Sequence, residues 1–97
     1  MTQLDKVIHQ PARLRIMSAL VTLDADEQVD FVYLRQLLGL TDGNLGAHLA
    51  RLEEAGYVTI DKTFVDKKPR SYISATGRGR DAFAAHVAAL KGIIGSG

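Results

Sequence analysis

Leu4, Val7 and Ile8 have helical spacing, and the group ends near Pro11, a residue suited to the first turn of the next helix. That next helix, about Ala12 to Leu23, carries Leu14, Met17 and Val21 on one side and Ile16, Leu20 and Leu23 on another. Apolar on two faces, it reads as the central core helix. The polar stretch "DADEQVD", Asp24 to Asp30, connects it onward, with a short strand expected near Val29. Asp30 suits the cap of a third helix running to about Leu38, with Phe31, Leu34, Leu37 and Leu38 inward and Gly39 as its C-terminal cap.

Thr41 then suits the N-cap of a fourth helix, about 42–55, which Gly56 closes. Projected at about 100° per residue, Leu45, Leu49 and Leu52 fall in one stripe. Asn44, Ala47, His48 and Arg51 share a different face, with Gly43 at its margin. The period changes after Gly56. "YVTIDKTFV", Tyr57 to Val65, alternates in part, and so does "RSYIS", Arg70 to Ser74; both are rich in β-branched and aromatic residues. "DKKP", Asp66 to Pro69, supplies turn chemistry between them, so about 57–74 is predicted as a hairpin. Thr76 caps a last helix bearing Phe83, Val87, Leu90 and Ile94, a seam of coiled-coil type surrounded by alanines. The predicted fold is mainly α with a small β-hairpin, one domain over residues 1–97.

Composition narrows the picture. The chain has 97 residues, 46% apolar, and no cysteine, which removes disulfides, thiolate metal sites and cysteine nucleophiles. The N-terminus lacks a signal-type apolar run, and Ala82 to Ile94 is too short to span a bilayer. A soluble, cytoplasmic protein without a membrane partner is expected. Net charge is only +1, but its distribution is uneven. Met1 to Asp61 is acidic, whereas Lys62 to Arg80 holds Lys62, Lys67, Lys68, Arg70, Arg78 and Arg80 against Asp66 alone. Such a local patch suits a phosphate-facing edge, and it also suits a solvated hairpin tip.

Two helices joined by a tight glycine-containing turn and followed by a two-stranded wing make a winged helix-turn-helix pattern. Its second helix is the one that enters a major groove. Asn44 and Arg51 there offer the donors and acceptors that base edges require, with Ala47 and His48 beside them. Thr41, Gly43, Lys62, Lys67, Lys68, Arg70, Arg78 and Arg80 are candidates for the DNA backbone. Phe83, Val87, Leu90 and Ile94, joined by Leu4, Val7 and Ile8, are candidates for a dimer interface.

The stretch "LTDGNLGAHLARLEEAGYVTIDKTFVDKKPRSYISATGRGRDAF" resembles the compact bacterial and archaeal winged-helix transcriptional regulators related to the MarR and ArsR groups. The upstream "IHQPARLRIMSAL" is similar to their first core helix; Ala75 departs from them, standing where a leucine is usual. The resemblance implies sequence-specific binding of double-stranded DNA by a homodimer. It places recognition roles on Asn44, His48 and Arg51 and phosphate contacts on Lys67, Lys68 and Arg70. Two copies related by a two-fold axis would reach half-sites about 34 Å apart, an inverted-repeat operator. The resemblance names no effector. An interaction module that reuses this fold, with the alanine-rich last helix as its contact surface, stays open as a second reading.

Other chemistry is not expected. Gly43 and Gly46 stand as G-x-x-G, without the nucleotide-loop pattern or its lysine. His9, His48 and His86 lack mutual metal-ligand spacing, and each is expected at the surface or an interface. Asp24, Asp26 and Glu27 read as a solvated loop. No nucleophile–base pair suggests an enzyme, and no cofactor is implied. The helix-weakening glycines need their own reasons. Gly46 is expected to allow close packing on a neighbouring helix, so that Gly46→Leu would damage folding. Gly43 is expected to let DNA backbone approach the free amides of the helix start.

Overall fold

A computed structural model of the chain describes residues 4–95. Its elements are α1 (Pro11–Val21), β1 (Val29–Asp30), α2 (Phe31–Leu38), α3 (Asp42–Glu54), β2 (Val58–Val65), β3 (Lys68–Ala75) and α4 (Gly77–Gly95). Local chemistry explains most of the boundaries. Pro11 opens α1, where the Gln10 side chain accepts from the Arg13 amide. Asp30 caps α2 by accepting from the Tyr33 amide, and Gly39 ends it in the left-handed region at φ 67°. Thr41 caps α3 by accepting from the Asn44 amide. Gly56 follows α3 at φ 81°, a conformation that glycine adopts without strain. Thr76 Oγ1 accepts from the Gly79 amide at the start of α4 and donates to the Gly56 carbonyl, tying the end of α3 to the start of α4.

The three strands form one antiparallel sheet in the order β1–β3–β2. β2 and β3 pair over their whole length, from Val58↔Ala75 to Val65↔Lys68. The connection is therefore two residues, Asp66 and Lys67, rather than the four of "DKKP". Both are left-handed, at φ 51° and 65°, as a hairpin turn matched to the strand twist requires. Pro69 fits inside β3 for a related reason. A two-residue turn makes Val65–Lys68 a hydrogen-bonded pair and Phe64–Pro69 a non-bonded one, so the missing N–H removes no bond to β2.

One apolar core joins the helices to the sheet. Ile8, Ile16, Met17, Leu20, Leu34, Leu38, Leu45, Leu49, Leu52, Val58, Ile73 and Ala75 form its buried cluster. α1 lies at its centre, as its two apolar faces predict.

Four expectations fail here. Leu4, Val7 and Ile8 do not begin a helix. Leu4 precedes, and Val7 and Ile8 lie within, a single turn held by Asp5, whose Oδ1 accepts from the Val7 and Ile8 amides at 2.9 and 3.1 Å. Ile8, proposed for an interface between copies, is 0% exposed inside this chain's own core. Leu37 is 56% exposed rather than inward, because an eight-residue helix turns Leu34 and Leu38 to the core and leaves Leu37 at the flank. His86, expected at the surface or an interface, is 1% exposed within the single chain, so α4 turns His86 and Ala89 inward beside the predicted seam.

Candidate nucleic-acid interface

The turn Gly39–Thr41 sets α3 against the core through Leu45, Leu49 and Leu52, all buried. The opposite surface carries Gly43, Asn44, Ala47 and Arg51, all exposed. His48 is half-buried. Its Nδ1 lies 3.4 Å from an Arg13 guanidinium nitrogen on α1. Burial first, and then the Arg13 cation, hold His48 below its ordinary pKa, which favours the neutral imidazole. Asp42 puts a carboxylate at the start of α3, and Arg35 of α2 pairs with it at 2.8 Å, offsetting repulsion of an approaching phosphate.

Gly43 is exposed, and a Cβ there would meet nothing within 4 Å. Gly46 does not pack closely on a helix: a Cβ there would likewise meet nothing within 4 Å. It borders instead a cleft of about 270 Å³ between α3 and the sheet, where Leu49, Glu53, Ile60 and Lys62 also stand. The glycine that close packing demands is Gly79 of α4. A Cβ on it would lie 2.8 Å from the Tyr57 carbonyl carbon.

The hairpin projects from this assembly. Every residue from Asp61 to Arg70 is exposed, so Lys62, Lys67, Lys68 and Arg70 are all accessible. Register separates them. Lys62 continues the row Val58–Ile60 on the face toward α3, whereas Lys68 and Arg70 lie on the other face, and Lys67 is at the tip. A ribbon with cations on both faces and the tip suits insertion between two phosphate strands better than lying flat on one. Arg70 also stands 3.5 Å from Asp30.

The two arginines at the start of α4 part company. Arg78 is exposed, its guanidinium 6.0 Å from the Tyr57 ring centre. Arg80 is removed from the phosphate candidates. Its nitrogens donate to the carbonyls of Val21 at 3.2 Å, Leu23 at 2.9 Å and Asp24 at 3.2 Å. It closes the C-terminal end of α1, where carbonyls otherwise lack partners.

Two features escape the sequence pattern. One is the half-buried network around Asp5. Its amide donates to His86 Nδ1 at 3.2 Å, and Tyr57 donates its hydroxyl to Asp5 Oδ2 at 2.5 Å. Burial alone would raise the Asp5 carboxyl, but the hydrogen bonds from Tyr57 and from the Ile8 and Val7 amides, with nearby His86, hold it below its ordinary value. No local spacing signals such a group, because its partners are 52 and 81 residues away. The other is Phe64, 74% exposed on the hairpin. Alternation placed it on a strand face but not in solvent.

Among the described residues no group of three or more metal-ligating side chains could hold an ion, and no helix is long and apolar enough to cross a membrane.

Comparison with known proteins agrees with this geometry. The chain is 38% identical over 78 residues to the uncharacterized protein MJ0432 of Methanocaldococcus jannaschii, covering 80% of this chain and 82% of that protein. The structure of a transcriptional regulator homologue from Pyrococcus horikoshii OT3 superposes with a TM-score of 0.84 at 30% identity, covering 93% of this chain and 86% of the other. NolR from Sinorhizobium fredii shares the fold at a TM-score of 0.64 and 22% identity, over 92% of this chain and 78% of NolR. The family model for the winged helix DNA-binding domain matches residues 12–94. The chain belongs to the winged helix DNA-binding domain family, a family of DNA binders and not of enzymes, and it resembles transcriptional regulators.

Proposed function

We propose that this protein regulates transcription as a homodimer that reads double-stranded DNA. α3 enters the major groove with Asn44, Ala47 and Arg51 toward the base edges and His48 at the flank. The wing grips backbone or minor groove through Lys62, Lys67, Lys68 and Arg70, while Thr41, Gly43 and Arg78 serve the flanking phosphates. The observation that carries this reading is the placing of exposed cations on both faces and at the tip of the hairpin, beside the exposed face of α3. Lys67 at the tip holds φ 65° at a hairpin position where glycine is favoured, a strain of roughly 1–2 kcal/mol that Asp66 beside it shares.

The dimer rests on α4. Val87 and Leu90 are half-buried and Ile94 is 81% exposed, so the outer side of that helix has apolar surface left to cover. Leu4, Val7 and Phe83 are half-buried, Val7 and Phe83 by packing against the chain's own core, and offer their remaining surface. Half-sites about 34 Å apart in an inverted repeat then follow from the two-fold axis. On this reading the protein acts in the cytoplasm.

Selection from random duplexes by the full chain, with affinity measured across salt and mass by light scattering, tests the proposal. A selected inverted repeat, the mass of two copies, and log affinity falling steeply with log salt are expected. Failure to select any sequence, together with a tight complex with another protein, would establish the interaction-module reading instead.

A further inference from the structure

Phe64 is the most exposed large apolar side chain of the wing and does not belong to the apolar cluster or the side chains packed on it. It stands on the same face as Val58, Ile60 and Lys62, the face turned toward α3, one residue before the strand end. Pro69 is its cross-strand partner in a non-bonded pair, the kind in which side chains approach most closely. Phenylalanine and proline therefore form a stiff apolar point, fixed by strands that stay paired to the turn. Cations surround it: Lys62 on its own face, Lys67 at the tip, and Lys68 and Arg70 behind. A protein partner lying on the Phe64 face would meet Lys62 and leave Lys68 and Arg70, on the other face, uncovered. A DNA groove takes both, since phosphate strands line its edges and base steps form its floor.

We infer that Phe64, backed by Pro69, is an apolar wedge that enters the minor groove beside the half-site read by α3 and opens one base step there. The inference rests on the DNA-binding reading above and commits the wing to the minor groove. The wedge reads no hydrogen-bond pattern. It selects steps that unstack easily, so pyrimidine–purine steps are favoured at a fixed distance from the α3 half-site. Specificity then extends to base pairs that no polar side chain touches.

The test uses a duplex selected by the full chain and substituted with 2-aminopurine at successive positions flanking each half-site. Fluorescence of this base rises when it unstacks. The wild-type protein should raise it at one step per half-site, and Phe64→Ala should abolish the rise and weaken binding roughly tenfold or more. Phe64→Leu should keep part of both effects, and neither variant should change the melting temperature, since Phe64 is exposed. Selection repeated with Phe64→Ala should lose the preference at the flanking step while keeping the α3 half-site. Wild-type binding without a rise at any position overturns the wedge and leaves DNA recognition standing. Phe64→Ala that binds as the wild type does, or that lowers the mass of the assembly, overturns it equally. If no duplex is selected, the reading beneath it has failed and the wedge falls with it.

Discussion

The backbone of Tyr57 occupies the space that a Cβ on Gly79 would need, with its carbonyl carbon 2.8 Å and its Cα 3.0 Å from that position. Both belong to the seam where the end of α3 meets the start of α4, also fastened by the Thr76 amide donating to the Tyr57 carbonyl at 3.0 Å. Backbone cannot yield there as a side-chain end would. Gly79→Ala should cost about 2–3 kcal/mol or more, read as a lowered denaturation midpoint. Gly46→Ala should do the reverse and stabilise by about 0.5–1 kcal/mol, because its Cβ meets open space and glycine weakens a helix. Equal effects of the two substitutions would contradict the packing described.

Arg80 is a structural residue, and its removal separates stability from DNA binding. Arg80→Ala takes this donor from the Val21 and Leu23 carbonyls and leaves that of Asp24 with the Glu27 amide, at a cost of about 2–3 kcal/mol. The salt slope of DNA affinity should not move, since no phosphate contact is lost. A slope reduced by about one, at unchanged stability, would return Arg80 to the phosphate contacts.

Lys67 should show the opposite separation. Lys67→Gly relieves the left-handed strain and stabilises the hairpin by about 1 kcal/mol, while removing a cation from the tip. DNA affinity should fall for all sequences alike and the salt slope should shrink by about one. Thermal melting and binding titrations at two salt concentrations, run on the same preparation, decide it. A variant that is more stable and binds as well as before would assign the cation no role.

Asn44 and Arg51 are exposed on the surface of α3 away from Leu45, Leu49 and Leu52, so replacing them by alanine should barely affect stability. Each replacement should relax preference at particular base pairs by about 1–3 kcal/mol and leave non-specific binding nearly intact. Competition with single-base-pair variants of the selected operator measures this directly.

Stability should decline as pH falls below about 6.5. Burial, then the charge on His9, lower the affinity of His86 for a proton; burial and Arg13 do the same for His48. Each histidine holds its proton less readily when folded than when unfolded. The stability tied to this difference is complete above about pH 6.5 and is lost as pH falls below it toward the lower folded values. Asp5, also lowered, contributes above its ordinary 3.8 and loses that contribution as pH falls through its folded value. Tyr57, raised by its bond to Asp5 and then by burial, acts in the other direction: its contribution is complete below pH 10 and lost above it. Denaturant unfolding at about pH 7.5 and about pH 5.5 should show the acid loss, and His86→Asn should shrink it. An unchanged loss in that variant would place the titration elsewhere.

What the sequence determined was written in caps and in the longer periods, although the spacing of Leu4, Val7 and Ile8 made no helix and Leu37 fell at a flank. Asp30, Gly39, Thr41 and Gly56 set helix ends by hydrogen bonds or backbone conformations that involve only near neighbours, and the leucine stripe of α3 followed from one repeat of angle. The exposed face with Asn44 and Arg51 is the complement of that stripe, so it was legible too. Tertiary structure decided the rest, because those residues are fixed by partners far along the chain. Arg80 looked like one more cation in a basic run until α1 brought three carbonyls to it. Ile8 looked like a spare apolar residue until the core enclosed it. Gly46 and Gly79 looked alike in composition, yet only the second lies against backbone. Which glycine is required, and which cation is free for a phosphate, depends on what the fold places opposite each one, and a one-dimensional pattern does not contain that distance.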